Sequence, residues 1–130
     1  MKVFILCGGY GTRLDYEGTL IAKPMVRIGP DPILMHIIKG YCNQGYNDFV
    51  FCLGHKSRTI INYFLKEKNI FSKTIYNKKS NIEFAFKSKS LNFKGSLIYT
   101  GLKTGTGGRI KKAYNQLGLN EDIMMTYGDG

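Results

Sequence analysis

No stretch of this chain approaches the ~20 consecutive apolar residues that a membrane-spanning helix requires, which excludes a helical membrane protein. The N-terminal run Met1-Lys2-Val3-Phe4-Ile5-Leu6-Cys7 is too short, and lacks the small-residue cleavage site, to read as a signal peptide. Cysteine is scarce. Cys7, Cys42 and Cys52 are odd in number, form no C-x-x-C pair and have no histidine close enough to complete a zinc set, so neither a disulfide framework nor a zinc site is expected. Reduced, buried thiols in a cytoplasmic protein are the expectation. There is no internal repeat and no Pro/Ser-rich linker, and 130 residues suffice for one domain with a real core. With 43% hydrophobic and 22% charged residues the composition is globular, which excludes a disordered tail.

Acidic residues are also few. Nine Asp+Glu stand against nineteen Lys+Arg, a formal net charge of +10, and fourteen of the cations fall within residues 55–112. A basic face suits nucleic acid, an anionic surface or a phosphorylated small molecule. The chain shows no helix-turn-helix, zinc-finger or RRM pattern, so nucleic acid is disfavoured as a partner. Most of Lys66, Lys68, Lys73, Lys78, Lys79, Lys87, Lys89 and Lys94 read as solvated surface.

Lys2 to Cys7 is a nearly unbroken apolar run ending at Gly8-Gly9, the pattern of a strand buried on both faces. Residues 8–31 then form a long Gly/Pro-rich loop, with a helical turn near Gly11–Leu14 and a brief extended piece at Met25–Ile28. Loops of this length are usually functional. From Pro32 to Gln44, Ile33, Leu34, Ile37, Ile38 and Tyr41 recur at helical spacing, with Gly45 just past the end. Asp48 to Leu53 is a second buried strand, after which Ser57 caps a second helix striped by Ile60, Ile61, Phe64 and Leu65. That helix frays into the Lys-rich segment 66–81. Ile82–Lys87 and Ser96–Thr100 read as strands with an excursion between them. A helix follows residues 104–108 and runs to about Leu117, and Asp122–Tyr127 is a further strand before Gly128-Asp129-Gly130. This order predicts an α/β fold with a mainly parallel sheet.

In such sheets ligands bind at the carboxyl ends of the strands, against loop N–H groups and helix N-termini. Gly8-Gly9-Tyr10-Gly11-Thr12-Arg13 follows the first strand, where small residues permit close backbone approach to a phosphate and Arg13 adds a fixed positive charge. It matches neither the dinucleotide fingerprint, which would need Gly at Leu14, nor the Walker A pattern. Residues 104–109 place hydroxyls and glycines at a helix N-terminus with Arg109 in the first turn, where a cation opposes the helix dipole. Either an anionic or polar ligand lies between them, or Arg109 is simply exposed. Gly128-Asp129-Gly130 holds a carboxylate at the sheet edge, suited to Mg²⁺ on a triphosphate or to an ordinary turn. Lys23-Pro24-Met25 aims an ammonium from the long loop, because Pro24 stiffens the backbone behind it. His36 reads as an ordinary helix residue and His55 as a residue near a pocket, neither with an acid beside it.

Taken together, these segments resemble the sugar-1-phosphate nucleotidylyltransferases. Leu6-Cys7-Gly8-Gly9-Tyr10-Gly11-Thr12-Arg13-Leu14 is close to that family's L-A-G-G-x-G-T-R-L, and Lys23-Pro24-Met25 and Gly128-Asp129-Gly130 follow in order. Lys23 to Gly29, Pro32 to Ile37, Asn47-Asp48-Phe49, Thr106 to Arg109 and Thr126 to Gly130 are similar to the branch that joins CTP to glucose 1-phosphate. The resemblance implies a Rossmann-like three-layer sandwich of the nucleotide-diphospho-sugar transferase type. It also implies nucleotidyl transfer from CTP to a sugar 1-phosphate, giving a CDP-sugar and pyrophosphate for surface polysaccharide synthesis. By motif, Leu6, Cys7, Gly8, Gly9, Tyr10 and Gly11 would hold the nucleotide through backbone groups, Thr12 and Arg13 the triphosphate, and Lys23 would neutralise charge at the reacting centre. Thr104 and Arg109 would lie by base and ribose, Gly128 would approach the nucleotide, and Asp129 would hold Mg²⁺.

Three departures stand out. Cys7 replaces Ala, Ile21 stands where the branch has the first Lys of K-P-K-P-M, and Phe93-Lys94-Gly95 replaces a Trp-Lys-Val-like stretch. Family members also continue past the G-D-G with a second metal-binding Asp and most of the sugar-phosphate site. Residues 1–130 are therefore expected to be the nucleotide-binding part of the domain, with the sheet ended after the GDG strand. An uncovered edge and apolar surface predict self-association into a homo-oligomer, or a complementing chain. A nucleotide-binding module without turnover, and a uridylyl- or thymidylyl-transferring relative, remain the alternatives.

Overall fold

A computed structural model describes residues 1–8, 12–14, 20–54, 56–76, 81–101 and 105–128; for 12–14, 20 and 71–76 it describes the backbone alone. Its centre is a six-stranded sheet, built from β1 (Lys2–Cys7), β6 (Asp48–Leu53), β7 (Ile70–Tyr76), β8 (Asn81–Lys87), β9 (Asn92–Tyr99) and β10 (Ile123–Tyr127) in the order β10-β1-β6-β9-β8-β7. The first four strands of that order are mutually parallel, and β8 runs antiparallel to both β9 and β7.

Period-two alternation on strands without polar positions sends residues to two cores, as parallel strands covered on both faces require. Val3, Ile5, Phe49, Phe51 and Leu53 face one layer, with α1 (Ile33–Asn43) through Leu34, Met35 and Ile38, and α2 (Ser57–Lys66) through Ile60 and Phe64. Phe4, Leu6, Val50, Cys52 and Ile98 face the other, under Ala113 of α3 (Thr106–Gln116). The chain is therefore the expected three-layer α/β sandwich. The handedness of βαβ crossovers accounts for the split: the chain moves from β1 through α1 to β6 and through α2 to β7, returns by antiparallel pairing through β8 to β9, then reverses through α3 to β10 on the far side of β1. Among the described residues no helix is long and apolar enough to cross a membrane.

Four local expectations are corrected. The Lys-rich segment after α2 is not a frayed end, because Ile70–Tyr76 forms edge strand β7 paired to β8. Lysines flank the strand and one, Lys73, lies within it, which suits an edge strand and hid it in the sequence. The stretch between the two strands read from sequence is a tight hairpin rather than an excursion. Ser88 N–H donates to Leu91 O at 2.9 Å, Leu91 N–H donates to Ser88 Oγ at 3.1 Å, and β9 begins at Asn92. Thr12–Leu14 is not helical but pairs as β2 with β3 (Leu20–Ala22), and the residues around them include two further short strands, β4 (Arg27–Ile28) and β5 (Asp31–Pro32). Ser57 is the first residue of α2 and not its cap; Lys56 occupies that position with φ 57° and makes no side-chain capping bond.

The core on the α1/α2 face is largely aromatic. Phe64 and Phe84 stack at 4.8 Å, Phe51 lies 5.1 Å from Phe64, and Phe86 and Phe93 stack at 4.8 Å. Gly95 of β9 makes this packing feasible, since a Cβ there would fall 2.4 Å from Phe84 Cζ and 2.9 Å from Phe51 Cε2. At the opposite border of the sheet, β10 pairs with β1 on one side, and Met125 and Tyr127 are 47% and 53% exposed. The Gly95→Ala variant is expected to lose about 1–3 kcal/mol through overpacking of these rings, read as a lower urea midpoint at unchanged slope; an unshifted midpoint would show that the rings yield freely.

Candidate functional site

The carboxyl ends of β1, β6, β9 and β10 meet at one end of the sheet. Their loops leave toward different layers: Gly54 leads to α2 on one face, whereas Thr100 and Gly101 lead to α3 on the other. Adjacent strands whose connections part in this way open a crevice between them. Arg109 fills it. Although it sits in the first turn of α3, Arg109 is 5% exposed, and its Nη1 donates to Thr100 Oγ1 at 2.9 Å, Leu53 O at 3.2 Å and Gly101 O at 2.6 Å.

The cation that opposes the α3 dipole is thus met by oxygens at the ends of β6 and β9. These acceptors account for its position without invoking a ligand between Arg109 and the helix. Charge-assisted bonds to several oxygens offset the desolvation of a buried guanidinium. Two glycines make room for it: a Cβ at Gly8 would lie 2.3 Å from Arg109 Cζ, and one at Gly54 would lie 2.4 Å from Nη1 and 2.8 Å from Gly8 O. Gly8 therefore has a reason to be glycine that the strand-to-loop motif did not disclose.

The same sheet end collects other residues singled out from the sequence. Gly128 N–H donates to Leu6 O at 2.9 Å, and a Cβ at Gly128 would lie 2.9 Å from Cys7 Sγ and 3.2 Å from Pro24 Cγ. Leu6, Cys7, Gly128 and the Lys23–Met25 turn are thereby neighbours, with Lys23 half-buried at the start of a single 3-10 turn. Thr12 and Arg13 lie in β2, for which the backbone alone is described. Gly9, Tyr10, Gly11, Thr104 and Asp129, like His55, lie outside the described residues. His36 is exposed on α1, its Nε2 2.8 Å from Ile28 O, so it ties β4 to the helix. Among the described residues no group of three His, Cys, Asp or Glu is placed to hold a metal ion.

None of the three cysteines is in a disulfide; Cys7 and Cys52 are buried as expected and Cys42 is half-buried. Burial pushes the Cys52 thiol from its ordinary 9.0 up to about 12, and the nearby Arg109 charge offsets part of that rise. A thiol held neutral is a packing group and not a nucleophile. Its raised folded value means that the stability it contributes is complete below pH 9.0 and is lost as pH rises toward about 12. Accordingly, Cys52 is expected to resist iodoacetamide at pH 8 in the folded chain and to react on denaturation, as peptide mass spectrometry would read; labelling at the rate of a free thiol would contradict its burial. Gly54→Ala is expected to cost about 1–3 kcal/mol by driving a methyl into the guanidinium and a backbone oxygen. Gly107→Ala, in a helical position with nothing within 4 Å, should leave stability unchanged or raise it by up to about 1 kcal/mol. Equal denaturation midpoints for the two variants would refute the close approach at Gly54.

The nucleotidyl transferase family profile matches residues 2–128. Over 130 residues the chain is 38% identical to the glucose-1-phosphate cytidylyltransferase of Salmonella typhimurium, covering 100% of this chain and 51% of that protein. It is 39% identical over 131 residues to the probable glucose-1-phosphate cytidylyltransferase of Bacillus subtilis, covering 100% of this chain and 50% of that protein. Among solved structures, HddC from Yersinia pseudotuberculosis complexed with GMP-PN superposes with a TM-score of 0.69 at 28% identity, over 98% of this chain and 47% of HddC. The chain spans about half the length of the curated relatives it matches. A profile match over nearly every residue, on a sandwich whose glycines and buried arginine converge at one sheet end, establishes that this chain belongs to the nucleotidyl transferase family.

Proposed function

We propose that residues 1–130 form the nucleotide-binding part of a sugar-1-phosphate nucleotidyltransferase that joins CTP to glucose 1-phosphate, releasing pyrophosphate and a CDP-sugar. The observation that carries this reading is the identity of 38–39% to two glucose-1-phosphate cytidylyltransferases across the whole chain. The meeting of Leu6, Cys7, Gly8, Lys23–Met25 and Gly128 at one sheet end supports it. A role in surface polysaccharide synthesis belongs to the same proposal.

In this reaction a phosphate oxygen of the sugar 1-phosphate attacks the α-phosphorus of CTP in line, and the bond to pyrophosphate breaks. The protein's work is to bring two polyanions together and to stabilise charge on the transferring group. Backbone groups of the Leu6–Gly11 segment would hold the nucleotide, with Thr12 and Arg13 at the triphosphate. Lys23, held by a turn that touches the end of β10 through Pro24, would neutralise charge at the reacting phosphorus. Thr104 and Arg109 would lie by base and ribose.

The bond from Gly128 N–H to Leu6 O fixes the residue before Asp129 beside the end of β1, which fits a carboxylate reaching a metal on the nucleotide phosphates. Mg²⁺ needs one or two carboxylates plus phosphate oxygens and so requires no larger protein cluster. Asp129 would hold it, and when bound it would supply charge neutralisation of the triphosphate.

Pyrophosphate release by the 130-residue chain with glucose 1-phosphate and Mg²⁺ tests the reading, with CTP, UTP, dTTP, ATP and GTP compared in parallel. CTP binding is expected; release with CTP would establish a working transferase, and would fall about 10²-fold or more in Lys23→Ala and disappear in Asp129→Ala. Calorimetric CTP binding without release would assign the chain as a binding module. Preference for GTP or UTP would redirect the base assignment, and absence of any nucleotide binding would reject the site.

A further inference from the structure

We infer that Thr100 is a positioning residue of the nucleotide site and acts through the Arg109 guanidinium; the inference rests on the nucleotide binding proposed above. Thr100 follows β9 and is 1% exposed. Its N–H donates to Leu53 O at 2.8 Å, carrying the ladder between β6 and β9 one residue past the strand. Its Oγ1 donates to the same carbonyl at 2.9 Å, which commits the single hydroxyl proton and leaves the oxygen's lone pairs to accept from Arg109 Nη1 at 2.9 Å. Lys112, one turn further along α3, donates from Nζ to Thr100 O at 3.3 Å. Side-chain cations of α3 therefore reach this residue from two successive turns, and both of its oxygens accept.

The consequence reaches the glycine segment. The guanidinium lies so close to Gly8 that a Cβ there would fall 2.3 Å from Cζ and Nη1, so its position fixes where the backbone leaves β1. Removing the hydroxyl withdraws one acceptor and puts a methyl group against the cation. The guanidinium must then re-aim toward Leu53 O and Gly101 O and shift from beneath Gly8. A β-branched residue suits the task because its χ1 is restricted, which holds the oxygen between the carbonyl and the cation. None of the sequence motifs includes Thr100, because its partners are 47 and 9 residues away along the chain.

The test is a double-mutant cycle on the full 130-residue chain, with calorimetric CTP dissociation constants measured well below each variant's melting temperature. Thr100→Val, which preserves volume and the backbone bond, is expected to weaken CTP binding roughly 5- to 20-fold. Thr100→Ser should stay within about threefold of wild type. In an Arg109→Lys background, Thr100→Val is expected to cause little further loss, because the hydroxyl acts through the guanidinium. A merely structural role would leave the affinity of folded Thr100→Val at the wild-type value, or would make the two losses additive; either result overturns the inference while leaving CTP binding by wild type intact. Absence of CTP binding by wild type itself would overturn the proposed nucleotide site and this inference with it.

Discussion

The burial of one guanidinium at the carboxyl ends of the strands is the constraint around which this molecule is arranged. Arg109 takes acceptors from the ends of β6 and β9 and packs on Gly8 at the end of β1, so it joins three neighbouring strands where the sheet's connections diverge. An uncompensated charge there would cost several kcal/mol, which explains the convergence of carbonyl and hydroxyl oxygens on it. The glycines at 8 and 54 are the steric complement of this arrangement. A segment that reads as an anion-binding loop is thus also the seat of an internal cation, and the two uses are compatible because backbone N–H groups and a nearby fixed positive charge both favour phosphate.

Around that point the two cores serve different purposes. The aromatic cluster of Phe51, Phe64, Phe84 and Phe93 anchors the antiparallel half of the sheet and keeps β8 and β9 in register with the parallel half. The smaller core beneath α3 is mostly aliphatic around Phe4, and Ala113 brings the helix close to Phe4, Val50 and Ile98. Close approach of α3 is what lets Arg109 reach past the strand ends. Packing on the far side of the sheet from α1 and α2 therefore determines the geometry of the site.

Several elements were legible because their signals are local. The apolar runs Lys2–Cys7 and Asp48–Leu53 appear as strands with the expected bounds, and α1 ends before Gly45, whose φ of +93° suits a residue without a side chain. The motif segments around Gly8, Lys23 and Gly128 were identifiable as candidates, and three of them prove to be spatial neighbours. What went unread depended on partners. β7 is a strand because β8 lies opposite it, and Thr12–Leu14 becomes a strand because Leu20–Ala22 lies opposite. Gly95 looked like part of an excursion because the rings that crowd it come from β6 and β8.

The sequence by itself determined the α/β class, the buried strands, the three principal helices and the family to which the glycine, lysine and aspartate motifs point. Periodicity and motif spacing act over a few residues and need no knowledge of contacts. Only the tertiary structure decided what Arg109 does, since the same residue at a helix start could lie in solvent or face a ligand. Its acceptors, Leu53 O, Thr100 Oγ1 and Gly101 O, converge only when β6, β9 and α3 have packed, because a buried charge is balanced by whatever oxygens the fold brings to it rather than by its neighbours in sequence.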